Sequence, residues 1–262
     1  MLKTPWQFAV AVGAALLCST TAPVAPASAD ATGASFFDSF DRLDTSRWYI
    51  SDGWVNGPIQ SCTWSKNNVG VQNGMLQLRL THSPNALRQY SCAEIRTRAT
   101  LGYGTYEARL RPAVGSGLNS AMFTYSGPPL TPVHDELDFE FLGKAPQKVQ
   151  LNYYVSGTGG HESLAVVPAN QFVTVALDWA PGRLRWFVNG ELVREERQSP
   201  LPVTPGQFFL SLWSGSSKVD SWLGHFSGQT PVVAYVDWIA FTRRGESCRF
   251  TGSITCSKRL DG

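Results

Sequence analysis

The chain has little charge and no excess of either sign. Its 262 residues carry 22 Lys and Arg against 20 Asp and Glu, a formal net charge of +2. The basic residues are dispersed, so nothing resembles the electrostatic footprint of a nucleic-acid surface. Long apolar runs are also missing. Beyond the N-terminus no segment approaches the roughly 20 apolar residues that span a bilayer, which argues against membrane insertion. Helical periodicity is almost absent, as are internal repeats and low-complexity linkers. Histidine is sparse and no C-x-x-C pair occurs, which removes the usual zinc arrangements.

The N-terminus is the exception. Lys3, an apolar run from Phe8 to Cys18 and Ala27-Ser28-Ala29 form an n-region, an h-region and an A-x-A cleavage site. A secretory signal over residues 1–29 is expected, with export to the periplasm or the medium. Leu17 stands before Cys18 where lipoprotein processing requires a small residue. Removing the signal leaves Cys62, Cys92, Cys248 and Cys256, an even set that suggests two disulfides in an exported chain. Of the three pairings, Cys62–Cys92 with Cys248–Cys256 is preferred.

What is plentiful is alternation of period two. It marks strands from Ser35 to Phe40, Glu94 to Arg98, Gly104 to Arg111, Val149 to Tyr154, Phe172 to Trp179, Phe208 to Trp213 and Val232 to Thr242. Asn73-Gly74 and Asn189-Gly190 join pairs of such runs as tight hairpins. Asp41 to Trp54 reads as loop with a short turn. The pattern predicts an all-β antiparallel sandwich or jelly roll. One domain is expected over residues 30–245, followed by a polar tail over 246–262 clipped by Cys248–Cys256. Tryptophan is abundant, at nine residues, and indole faces suit sugar rings as well as a core.

One stretch concentrates chemistry: His134-Asp-Glu-Leu-Asp-Phe-Glu-Phe-Leu-Gly-Lys144. As a strand it places Glu136, Asp138 and Glu140 on one face and Leu137, Phe139 and Phe141 on the other. The ordinary reading is a half-buried strand with its acids in water. Against it, three like charges in file repel, with no interleaved Lys or Arg to relieve them, which is how shifted carboxyl pKa values arise.

Glu-x-Asp-x-Glu followed by Phe-Leu-Gly-Lys resembles the active-site strand of glycoside hydrolase family 16. Asp52-Gly-Trp-Val-Asn-Gly57, Cys62-Thr-Trp64, Cys92-Ala-Glu-Ile-Arg96, Tyr103-Gly-Thr-Tyr-Glu107, Phe123-Thr-Tyr-Ser-Gly127, Asn152-Tyr-Tyr154, Gly159-Gly-His-Glu162 and Trp222-Leu-Gly224 are similar to bacterial lichenases in the same order. The resemblance implies a concanavalin-like β-jelly roll with an open concave cleft for a linear polysaccharide. It implies Glu136 as nucleophile, Glu140 as general acid/base, and Asp138 bonded to the nucleophile and helping to keep Glu140 protonated. Asn56, Glu94, Arg96, Tyr125, His134, Asn152, Tyr154, Trp213 and Trp222 become expected substrate-binding residues. For each aromatic the alternative is core packing, and for Glu94 and Arg96 a surface ion pair. A structural calcium is implied at the Ser39 and Gly74 carbonyls with Asp237, and no cofactor for catalysis. Two departures bear on specificity. His134 stands where lichenases have Trp, and Ser211 where they tend to have Asn; the His-Asp-Glu-x-Asp-Phe-Glu order looks more like xyloglucan-acting members and rhizobial glycanases. The expected activity is a secreted, monomeric, retaining endo-β-glucanase cutting β-1,4 bonds in β-1,3-1,4-glucan. The alternatives are an endo-glycanase for an exopolysaccharide such as succinoglycan, or a non-catalytic glycan-binding jelly roll.

Overall fold

A computed structural model describes residues 33–258; the expected signal over residues 1–29 lies outside them. In chain order the strands are β1 (Phe36–Asp38), β2 (Trp48–Ile50), β3 (Cys62–Trp64), β4 (Val69–Gln72), β5 (Met75–His82), β6 (Tyr90–Thr97), β7 (Gly104–Arg111) and β8 (Leu118–Tyr125). They continue as β9 (Glu136–Leu142), β10 (Lys148–Tyr154), β11 (Ser163–Val166), β12 (Val173–Ala180), β13 (Arg183–Val188), β14 (Glu191–Glu196), β15 (Gln207–Ser214) and β16 (Val232–Arg243). Two short helices, α1 (Asp220–Leu223) and α2 (Ile254–Lys258), interrupt the β-structure. Among the described residues no helix is long and apolar enough to cross a membrane.

The strands form the two layers of a jelly-roll sandwich. One runs β11-β10-β9-β8-β15-β6, with β2 also on β6; the other runs β5-β16-β7-β12-β13-β14, with β4 on β5 and β1 on β16. They meet where Thr81 and His82 of β5 pair with Ser91 and Tyr90 of β6. Alternation explains the layering, because each strand turns one parity inward. Leu137, Phe139 and Phe141 of β9 enter the core with Tyr106, Trp186 and Phe208, all 2% exposed or less. Each such side chain contributes about 1.5–3 kcal/mol through burial.

Both Asn-Gly turns form. Asn73 and Gly74 have φ of 55° and 67°, Asn189 and Gly190 of 48° and 80°, the left-handed pair that a two-residue hairpin matched to strand twist requires. Both preferred disulfides are present, Cys62–Cys92 and Cys248–Cys256.

Three features differ from the sequence expectations. Trp48–Ile50 is a strand, not loop, because its backbone completes the β6 edge from Ile95 to Thr97. β3 runs parallel to β6, placing Trp64 opposite Cys92, so the sandwich is not wholly antiparallel. The C-terminal tail is docked as well as clipped: Ser253 Oγ and the Ile254 amide both donate to the buried Glu107 carboxylate, and Ile254 packs on Ala176 and Phe187.

Candidate active site

The β9 acids occupy the middle of a ladder of cross-strand rows. Glu136 lies between Tyr154 of β10 and Tyr125 of β8, and Asp138 between Asn152 and Phe123. Glu140 lies between Gln150 and Ala121. The rows continue across β15 and β6: Phe123 faces Phe209, which faces Arg96, and Ala121 faces Ser211, which faces Glu94. One parity of five strands thus becomes the floor of an open cleft. Its main hollow has a volume of about 550 Å³.

Asn56, Glu94, Arg96, Tyr125, Trp213 and all three acids line this hollow. Tyr125 and Trp213 therefore reach the cleft, while Trp213 also packs against the core from that side. Glu94 and Arg96 do not form a surface ion pair. Glu94 is 3% exposed and accepts from Ser51 Oγ at 2.6 Å. Arg96 donates to Gln207 Oε1 at 2.6 Å and lies 4.5 Å from the Tyr49 ring centroid.

His134, Asn152, Tyr154 and Trp222 sit outside that hollow, beyond the acids. His134 stacks on Tyr154 with centroids 5.2 Å apart, and its Nε2 is 2.7 Å from Glu136 Oε2. Asn152 accepts from the His161 amide at 3.2 Å. Trp222, on α1, donates to Gln150 Oε1 at 2.8 Å and lies 6.0 Å from Trp213.

The acids differ in their electrostatics. Burial, then the Glu136 and Glu140 charges, hold the Asp138 carboxyl well above the usual range, with a hydrogen bond to Glu136. A carboxyl kept neutral in this way can donate to its neighbour. Glu140 is pushed up to about 7, first by burial and then by Glu136 and Glu162, against a lowering bond from Asn119. Glu136 and Glu162 add repulsion on Glu140, and Asp138 and Glu140 repel one another across one step of the strand. Burial also pushes Glu94 up to about 7. His134 is raised first by its bond to Glu136. Burial and the surrounding carboxyls take the Tyr154 hydroxyl to about 12.

Sequence reasoning missed Asn119, whose Nδ2 donates to Glu140 Oε1 at 3.0 Å, and the cleft residues Tyr49, Trp54, Phe123 and Phe209. Asn119 lies on β8, whose sequence Leu-Asn-Ser-Ala-Met-Phe-Thr-Tyr does not alternate polar with apolar residues, so no period of two flags it.

Ser39, Gly74 and Asp237, the residues of the implied calcium site, fall at neighbouring strand ends in the outer layer. β5 pairs with β16 over Val232–Val236, and β1 over Ile239–Phe241. β7 fills the other edge of β16, so β5 and β1 share an edge and leave Asp237 between their ends. Gly74 and Ser39 are the residues just past those ends. The donor chemistry, two carbonyls and a carboxylate, suits a hard cation. Asp237 is also ion-paired to Arg109.

The Glycosyl hydrolases family 16 profile matches residues 56–239. The endo-1,3-1,4-beta-glycanase ExoK of Rhizobium meliloti (strain 1021) is 50% identical over 226 residues, covering 85% of this chain and 84% of that protein. The beta-glucanase of Bacillus subtilis (strain 168) is 42% identical over 233 residues, covering 87% and 94%. The solved Bacillus licheniformis beta-glucanase superposes with a TM-score of 0.77 at 40% identity, covering 81% of this chain and all 100% of that one. With a carboxyl ladder of this form on a jelly-roll floor and such relatives, the chain belongs to glycosyl hydrolases family 16 and is a glycoside hydrolase.

Proposed function

We propose that the protein is an exported, monomeric, retaining endo-β-glucanase that cuts β-1,4 bonds in β-1,3-1,4-linked glucan. The observation that carries this reading is the asymmetry of the β9 acids: Glu140 is held near 7 while Asp138, kept neutral, bonds to Glu136. Retaining hydrolysis needs one carboxyl that gives a proton and one that attacks. Glu136 attacks the anomeric carbon as Glu140 protonates the departing glycosidic oxygen. Glu140 then takes a proton from water, which displaces Glu136 from the sugar. The Cα atoms of Glu136 and Glu140 are about 13 Å apart along a strand, and a retaining mechanism requires their carboxyls to approach to ~5–5.5 Å across Asp138. The names of the relatives at 42% and 50% identity support the substrate class.

A second reading has its own observation. His134 is bonded to Glu136 and stacked on Tyr154, so no indole flanks the acids there, and an exopolysaccharide such as succinoglycan becomes a candidate substrate. Reducing-end release from barley β-glucan, lichenan, laminarin, carboxymethyl-cellulose, xyloglucan and succinoglycan separates the two, with Glu136→Gln as control. Cleavage of the first two alone is expected. Cleavage of succinoglycan in preference to both favours the second reading, and silence on all six with glycan binding intact overturns both in favour of a binding module. The same reading includes a structural calcium at Ser39, Gly74 and Asp237. EDTA is expected to lower Tm and calcium to restore it, with no change in the products.

A further inference from the structure

We propose that Asn119 is the positioning residue of the general acid and that its carboxamide oxygen accepts a hydroxyl from the pyranoside ring lying on Trp213. This rests on the assignment of Glu140 as acid/base. Asn119 is 1% exposed, yet it lines the cleft with Ala121, Phe123 and Tyr125, the same parity of β8. It stands directly opposite Trp213 on β15, and its Nδ2 donates to Glu140 Oε1 at 3.0 Å. It therefore sits between an indole platform and the acid.

The two ends of the amide have different work. The Nδ2–H occupies Glu140 Oε1, so the acidic proton belongs on Oε2, the oxygen left for the substrate. In the first step that proton passes from Oε2 to the glycosidic oxygen as its bond to the anomeric carbon breaks and the Glu136 carboxylate bonds to that carbon. Oδ1 is buried and has no hydrogen-bond partner among the described residues. A buried acceptor left unpaired is costly, and a hydroxyl of a sugar ring seated on Trp213 would supply the missing donor. A hydrocarbon side chain would fill the same space without either function.

Three variants test this: Asn119→Leu, Asn119→Asp and Asn119→Ser. Each is compared on barley β-glucan and on a 2,4-dinitrophenyl β-glucan oligosaccharide, whose leaving group needs no protonation. A ¹³C titration of the Glu140 carboxyl accompanies the kinetics. For Asn119→Leu, kcat/KM on the polymer is expected to fall about 10–100-fold and on the aryl substrate only about 3-fold or less. The Glu140 titration and the basic limb of the pH profile move up by about half a pH unit or more, because a bond to the charged form is lost. Asn119→Asp moves them further by like-charge repulsion, but keeps an acceptor and so keeps KM, which Asn119→Leu raises. Equal losses on both substrates with an unmoved Glu140 titration, or a lower Tm as the sole effect, overturn the proposal. Should Asn119→Leu fail to fold, Asn119→Ser and the near-isosteric Asn119→Asp give the same comparison. Wild-type silence on both substrates would overturn the activity reading instead, and the carboxyl titration would still report whether Asn119 acts on Glu140.

Discussion

Glu94, Asp138 and Glu140 are all cleft carboxyls, and burial is the first cause of the upward shift in each. What separates them is their partners. Asp138 touches another acid and stays neutral; Glu140 receives an amide bond that holds it near 7. A general acid must be protonated, so activity is expected to fall as pH rises through about 7. Glu140→Gln should abolish that basic limb and cut kcat/KM on polymer by about 10²–10⁴-fold, checked by a pH–rate profile. Glu94 gives a stability prediction of the same sign. Its folded pKa of about 7 exceeds the model-compound 4.5, so the native state binds the proton more tightly than the unfolded chain. Stability is fully favoured below about 4.5 and declines as pH rises to about 7, by about 3 kcal/mol in all. Glu94→Gln should flatten that decline in denaturant titrations between pH 4 and 8. The acids themselves were legible in the sequence, whereas their burial was not: a lone Glu beside Arg96 reads as a surface pair until Ser51 and the β15 neighbours enclose it.

The elements that sequence alone revealed are those whose residues alternate polar with apolar. β7 coincides with the run from Gly104 to Arg111, and both Asn-Gly hairpins close where the turn chemistry demands. β8, buried to the same extent as β7, escaped notice because its sequence Leu-Asn-Ser-Ala-Met-Phe-Thr-Tyr has no period of two. β2 and β3 have three residues each, too few for any pattern, and are held by β6 and a disulfide more than by their own propensity. Glycine separates local from tertiary constraint in the same way. A Cβ at Gly190 meets open space, and only the φ of 80° opposes it; Gly190→Ala should cost about 1–2 kcal/mol. A Cβ at Gly104 would lie 2.4 Å from the Thr242 carbonyl oxygen and 2.6 Å from the Phe241 ring. Backbone on the next strand cannot move cheaply, so Gly104→Ala should be clearly more destabilising than Gly190→Ala in urea melts.

For the molecule as a whole, the sandwich works as a mount. Its core side locks Leu137, Phe139 and Phe141 in place, so the alternate residues of the same strand are held over an open cleft, where a polymer can lie across them without threading an end. That rigidity lets three carboxyls with different surroundings share one strand. A bond from Glu136 to the sugar, with Glu140 giving and then taking a proton across it, requires retention at the anomeric carbon. Proton NMR of the first reducing ends released from barley β-glucan, recorded before mutarotation, tests this directly. The β-anomer is expected first and the α-anomer only as equilibrium is approached; an α-anomer in the earliest spectra would mean single-step inversion and remove Glu136 as nucleophile.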